Sequence, residues 1–141
     1  MKKKSKKYKF LIVASRFYPK ITKKLVEEAE HYLKKININY DLYLVNGSLE
    51  IPTLISIKLK KNKYDGVVAL GCIIRGQTKH FDFIASAITN KLLDLSVNYD
   101  LPVTNAILTC ETMKQAELRS SKKINRSKEA VSSALSILKN L

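Results

Sequence analysis

Long apolar runs are missing from this chain of 141 residues. Nothing in it approaches the roughly 20 apolar residues that a membrane-crossing helix needs. The apolar segment 10–14 (FLIVA) is too short for a secretory signal core, and Arg16 breaks any continuation of it. The expectation is a cytoplasmic protein. Cysteine is scarce too. Cys72 and Cys110 are separated by 38 positions, with no C-x-x-C pair and no histidine at ligand spacing, which argues against a zinc site. In a reducing compartment a disulfide is not expected either, so both cysteines read as small apolar residues. The phosphate-loop pattern G-x-x-x-x-G-K-S/T and the dinucleotide pattern G-x-G-x-x-G are absent, as is a G-x-S-x-G nucleophile elbow.

Acidic residues are few as well: 12 against 26 basic ones, a formal charge of +14. Six lysines fall within the first nine residues, so 1–9 reads as a basic tail and 10–141 as one domain, long enough for a hydrophobic core. The basic residues are 22 Lys and only four Arg, whereas groove and phosphate recognition favours the planar Arg fork. No basic stripe is interleaved with aromatics, and nucleic acid is not an expected partner.

The apolar fraction, 45%, is that of an ordinary globular protein, and its pattern alternates in kind. Segment 8–15 (YKFLIVAS) is a nearly continuous apolar run, as a strand buried on both faces requires. From Ile21 the period turns helical through Leu25, Ala29, Leu33 and Ile36, ending at Asn37 and Asn39. Segment 40–45 (YDLYLV) is a second strand, followed by the turn Asn46-Gly47-Ser48 and a helix from about Pro52 to Lys61. Segment 66–72 (GVVALGC) is the third strand and IRGQTKH its loop. A long amphipathic helix runs through Phe81, Ile88, Leu92 and Tyr99. Segment 102–108 (PVTNAIL) is the fourth strand, Thr112 and Gln115 match a capping box, and 128–141 is the closing helix.

Alternation of this kind implies a parallel sheet of four strands with right-handed crossovers and helices on both faces, an α/β/α sandwich. Ligands of such sheets bind outside the carboxyl ends of the strands, which selects 15–18, 46–50, 71–80 and 105–111. In 71–80 (GCIIRGQTKH) Gly71 and Gly76 allow close backbone approach. Gln77 and Thr78 precede a long helix whose first N–H groups favour an anion. His80 is the acid–base candidate; the plainer alternative is that Thr78 caps the helix and His80 is a surface residue. Glu50 complements a helix start or accepts hydrogen bonds from a polyol. Phe17 covers a core edge or stacks on a flat heterocycle. Arg119 is a solvated helix-end charge or a phosphate clamp. His31, mid-helix and far from every rim, has no expected role.

S-R-F (15–17), N-G-S-L-E-I-P (46–52), A-L-G-C-I-I-R-G-Q-T-K-H-F-D (69–82), L-P-V (101–103), I-L-T (107–109) and Q-A-x-x-R (115–119) together resemble the 6,7-dimethyl-8-ribityllumazine synthase family, from about Phe10 to the last helix. The resemblance implies a flavodoxin-like fold and a transferase of riboflavin biosynthesis. Such an enzyme condenses 5-amino-6-(D-ribitylamino)uracil with 3,4-dihydroxy-2-butanone 4-phosphate, with no metal or organic cofactor. It implies Phe17 stacking on the pyrimidine, backbone contacts from Ser48 and Leu49, and Glu50 on the ribityl chain. Cys72, Ile73 and Ile74 would line the ring pocket, Gln77, Thr78 and Arg119 would hold phosphate, and His80 would move protons. Asn105 would reach the pyrimidine from a neighbouring subunit of a homopentamer or a multiple of pentamers. Departures are L for F at Leu49, an aromatic lost at Asn105, S-R-F-Y for S-R-F-N, and I-N-R-S for G-N-K-G. The last makes Arg126 the counterpart of a substrate-contacting lysine, with Lys128 the competing match.

Overall fold

The computed structural model describes residues 7–76 and 79–141. Four strands, β1 (Lys9–Ser15), β2 (Asn39–Val45), β3 (Gly66–Ile74) and β4 (Val103–Cys110), alternate with α1 (Pro19–Lys35), α2 (Glu50–Lys61) and α3 (His80–Tyr99). After β4 come a short α4 (Met113–Arg119) and the terminal α5 (Arg126–Leu138). All pairings are parallel, in the order β2-β1-β3-β4. The expected sandwich with a four-stranded parallel sheet is what the chain forms.

The apolar strands acquire both faces of the sheet. Phe10, Ile12, Ala14, Val68, Leu70 and Cys72 pack with Leu25, Ala29 and Leu33 of α1 and Val131 and Ala134 of α5. Their sequence neighbours Leu11, Val13, Val67 and Ala69 point the other way, onto Ile51 and Ile55 of α2 and Ile88 and Leu92 of α3. Side chains alternate faces along a strand, so burial on both sides demands apolar residues at every position. That is why β1 and β3 lack alternation, while the edge strand β2 stays half-exposed.

Several boundaries differ from the sequence expectation. Helix α1 begins at Pro19, because proline suits a first turn and only from Ile21 does the helix face the core. Strand β3 runs on to Ile74 instead of stopping at Cys72, carried by β4, which pairs with it as far as Cys110. Helix α5 starts at Arg126, where Asn125 caps it by accepting the Ser127 N–H at 2.9 Å. Of the capping box at α4 the cap half forms, with Thr112 Oγ1 accepting from the Gln115 N–H at 3.2 Å, while Gln115 Oε1 reaches one residue past the cap and accepts from the Glu111 N–H at 2.8 Å. No helix among the described residues is long and apolar enough to cross a membrane.

Strand order locates the site. From β1 the chain moves to one side to form β2, then crosses to the other side to form β3. The connection leaving β1 toward β2 and the one leaving β3 toward β4 therefore run to opposite sides, and they diverge at the carboxyl ends of β1 and β3, opening the crevice where doubly wound sheets take their ligands.

Candidate active site

At that crevice lies a cavity of about 340 Å³ lined by Phe17, Ser48, Leu49, Glu50, Cys72, Ile73, Ile74 and His80, together with Tyr18, Gly47, Gly76, Phe81 and Ile84. Three of the four predicted rim segments therefore converge on one space. The loop after β1 is tied to the loop after β2: the Arg16 N–H donates to the Val45 carbonyl at 2.9 Å, and its guanidinium donates twice to Asn46 Oδ1, at 3.1 and 2.9 Å. With that loop held, Phe17 turns outward. It is 66% exposed and meets Tyr18 edge-on at 5.0 Å. The ring covers no core edge; it stands at the cavity mouth.

Glu50 is the first residue of α2, where a carboxylate complements the free N–H groups of the helix start, and it lines the cavity from there. Gly47 makes room for it, since a Cβ at that position would lie 2.9 Å from Glu50 Oε1. Gly71 has a different role from the expected ligand approach. A Cβ there would meet Ser15 Cβ at 3.2 Å and Ser48 Oγ at 3.3 Å, so its missing side chain lets the ends of β1 and of the second loop close against β3. Gly76 faces open space.

The third wall is main chain. Strand β1 accompanies β3 only as far as Ala14 opposite Leu70, whereas β4 follows it through Ile74. Along 71–74 the backbone groups on the β1 side find no strand among the described residues. The backbone groups of this stretch that face the β1 side, not taken by a strand there, can offer a planar polar heterocycle hydrogen bonds. Burial, and secondarily the neighbouring Cys110 thiol, push the Cys72 thiol up to about 12; Cys72 therefore meets the cavity as a neutral thiol. His80 is the first residue of α3 and is exposed on the cavity wall. Gln77 and Thr78 lie outside the described residues, and the position before α3 is taken by Lys79, which provides no side-chain cap.

The 6,7-dimethyl-8-ribityllumazine synthase family model matches residues 7–141 of this chain. The chain belongs to that family. Among its named relatives, the 6,7-dimethyl-8-ribityllumazine synthase of Bartonella tribocorum is 45% identical over 117 residues, covering 82% of this chain and 78% of that one. The Methylorubrum populi synthase is 39% identical over 134 residues, 91% of this chain and 79% of its own. That of Agrobacterium fabrum is 42% identical over 114 residues, 77% of each chain. This lumazine synthase family chain is accordingly an enzyme, a transferase of riboflavin biosynthesis.

The remaining predicted residues stand apart from the cavity. Asn105 is not at the carboxyl rim: it lies in the first half of β4, opposite Ala69, where its side chain accepts the Ile107 N–H at 2.8 Å. Beside it a recess of about 220 Å³ is lined by Arg126, which pairs with Glu129 at 3.2 Å, and by Ser133. Arg119 ends α4, with Nη1 donating to the Thr109 carbonyl at 3.4 Å. It lines another recess, of about 640 Å³, with Lys122, Lys123, Arg126 and Lys128. No lysine or arginine is among the described residues that line the main cavity. Phe81, read from the sequence only as part of the amphipathic helix, and Ile84 also line the cavity; their place within one helical turn of His80 is the signal that would have included them.

Proposed function

We propose that the chain makes 6,7-dimethyl-8-ribityllumazine by condensing 5-amino-6-(D-ribitylamino)uracil with 3,4-dihydroxy-2-butanone 4-phosphate in the cytoplasm. The observation that carries this reading is a cavity at the switch point with an exposed aromatic ring, the end of β3 that β1 no longer accompanies, a carboxylate and a histidine, in a chain of the lumazine synthase family. Phe17 stacks on the pyrimidine while main-chain groups of Cys72, Ile73 and Ile74 bond its edge. Glu50, with the backbone at Ser48 and Leu49, holds the ribityl hydroxyls. Gln77 and Thr78 take the phosphate at the start of α3. The uracil amine then attacks the butanone carbonyl and loses water to form an imine; the C–O bond to the phosphate breaks, releasing inorganic phosphate, and ring closure expels a second water. His80 carries the protons. Alignment of the two reactants contributes much of the rate, on the order of 7–11 kcal/mol for well-oriented pairs.

No lysine or arginine among the described residues lines the cavity, so a phosphate dianion needs a cation from elsewhere. Arg119 and Arg126 of an adjacent copy supply it in this reading, with Asn105 beside them, and the working unit is a homo-oligomer, a pentamer or multiple of pentamers. Two features support an apposed copy: Phe83, Leu93 and Val97 of α3 are exposed apolar residues, and β4 is an open sheet edge. Arg126 rather than Lys128 fits the shared role, because it lines the Asn105 recess while the Lys128 ammonium sits 5.7 Å over the Tyr32 ring.

Incubation with both substrates and detection of lumazine fluorescence tests the activity. His80→Ala lowers turnover about 10²–10⁴-fold; an undiminished rate removes His80 from the mechanism. Co-expressing His80→Ala with Arg126→Ala tests the shared site, since mixed oligomers regain activity that neither variant has alone. No regain refutes sharing.

A further inference from the structure

Arg75 lines none of the cavities described above and had no role in the sequence reading, yet it joins three elements. Its N–H donates to the Cys110 carbonyl at 2.8 Å, fixing the end of β3 to the end of β4. Its guanidinium grips Asp82 in the first turn of α3 with two hydrogen bonds, 3.2 and 2.9 Å, and pairs through Nε with Glu111 at 2.8 Å. The same guanidinium lies 4.6 Å from the centroid of Phe81, a cavity-lining ring next to His80. Three of its N–H donors are already engaged by two carboxylates, so Arg75 is committed to the chain's own acids and not placed as a phosphate fork. What it controls is where α3 begins.

We infer that Arg75 is a positioning residue, holding the first turn of α3 against the ends of β3 and β4 and so setting where His80 stands in the cavity. The inference rests on the proposed role of His80. The clamp is solvent-accessible at both carboxylates, with side chains 55% and 58% exposed, and exposed ion pairs contribute little to stability. Its loss therefore acts on placement more than on folding. Displacements near 1 Å at a reacting group lower rates by up to about 10²-fold. Charged groups near this end of the cavity, among the described residues, include Lys79 just before α3, Asp82 on α3, Arg75 after β3, Glu111 after β4 and Glu50 on α2.

Arg75→Met is tested by lumazine formation and by the proton NMR chemical shifts of the two histidine rings at fixed pH, with His31 in α1 as the internal control. Expected are a kcat lower by about 10- to 100-fold with each KM within about threefold. The His80 ring resonances move and those of His31 stay. Arg75→Lys, a point charge unable to hold both carboxylates in fork geometry, recovers part of the rate. Unchanged kcat and an unmoved His80 overturn the inference. Should Arg75→Met not fold, Asp82→Asn removes only the helix side of the clamp: the same loss of kcat supports it and full activity overturns it. If the wild-type chain forms no lumazine, the proposed reaction fails, and the His80 ring resonances in Arg75→Met still decide the clamp.

Discussion

Replacing Phe17 with alanine separates binding from folding. A fully buried phenylalanine contributes about 1.5–3 kcal/mol to folding, but this ring is 66% exposed. Only about a third of that is engaged, so Phe17→Ala lowers stability by about 1 kcal/mol or less, a few degrees in Tm. Against ligand the ring is worth more. Stacking of a base on an aromatic side chain contributes about 1–3 kcal/mol by alanine substitution. At 1.4 kcal/mol per tenfold, affinity for the ribitylaminouracil falls about 5- to 150-fold. The assay is initial-rate lumazine fluorescence with each substrate varied in turn, alongside direct titration of lumazine product binding and a thermal melt. The KM for the uracil rises, that for the butanone phosphate stays near its wild-type value, and Phe17→Tyr restores most of the affinity. A folded Phe17→Ala whose uracil KM and product affinity match the wild type refutes the stacking platform. A large drop in Tm without a change in affinity shows instead that the ring belongs to the packing of the β1 loop.

Cys72→Ser retains kcat within about threefold, because a thiol pushed up to about 12 by burial is no nucleophile at neutral pH. Its alkylation by iodoacetamide is slow at pH 8 and accelerates as pH rises; rapid labelling at pH 8, or a folded but inactive serine variant, contradicts this. Tyr64→Phe tests the ion-pair network at the amino end of the sheet, where the Tyr64 hydroxyl donates to Asp41 at 2.6 Å and Lys9 pairs with Asp41 at 3.3 Å. That hydroxyl, chiefly, and Lys9 hold the Asp41 carboxyl below its ordinary range, and burial with Asp41 pushes the phenol up. A depressed carboxyl stabilises the fold above its unfolded pKa, and this is lost as pH falls through the folded value. A raised phenol stabilises the fold below its unfolded pKa, and this is lost as pH climbs through the folded value. Hydrogen bonds to a charged group contribute about 1.5–3 kcal/mol. With the Asp41 side chain 36% exposed, screening reduces this to about 1 kcal/mol. The denaturation gap between wild type and variant is therefore widest between about pH 4 and pH 10 and narrows on both sides; a gap independent of pH sinks the network.

Much of the site was legible because its carriers are local. Phe17, Glu50 and His80 each follow a strand within a few residues, and each stands at or just before a helix start. Period and turn chemistry are enough to find such places. Asn105 was misplaced for a nonlocal reason: β4 continues to Cys110 only because β3 projects to Ile74 beside it, and no periodicity records how far one strand outruns another. Gly71 was misread for a similar cause. The atoms that exclude a side chain there belong to Ser15 and Ser48, distant in sequence. Arg75 had no visible partner, since Asp82 and Glu111 become its neighbours only once three elements meet.

By itself the sequence determined the element types, the parallel sheet with its buried strands, the rim as the place of chemistry and, through its motifs, the family. These follow from the 3.6- and 2-residue periods and from turn residues, which act over a few positions. Tertiary structure alone decided the strand order that opens the crevice between β1 and β3, the end of β1 pairing at Leu70 while β4 continues along 71–74, the absence of a lining cation among the described residues and the Arg75 clamp. Each of these depends on the relative offset of elements far apart in the chain, and that offset is set by which apolar faces bury together.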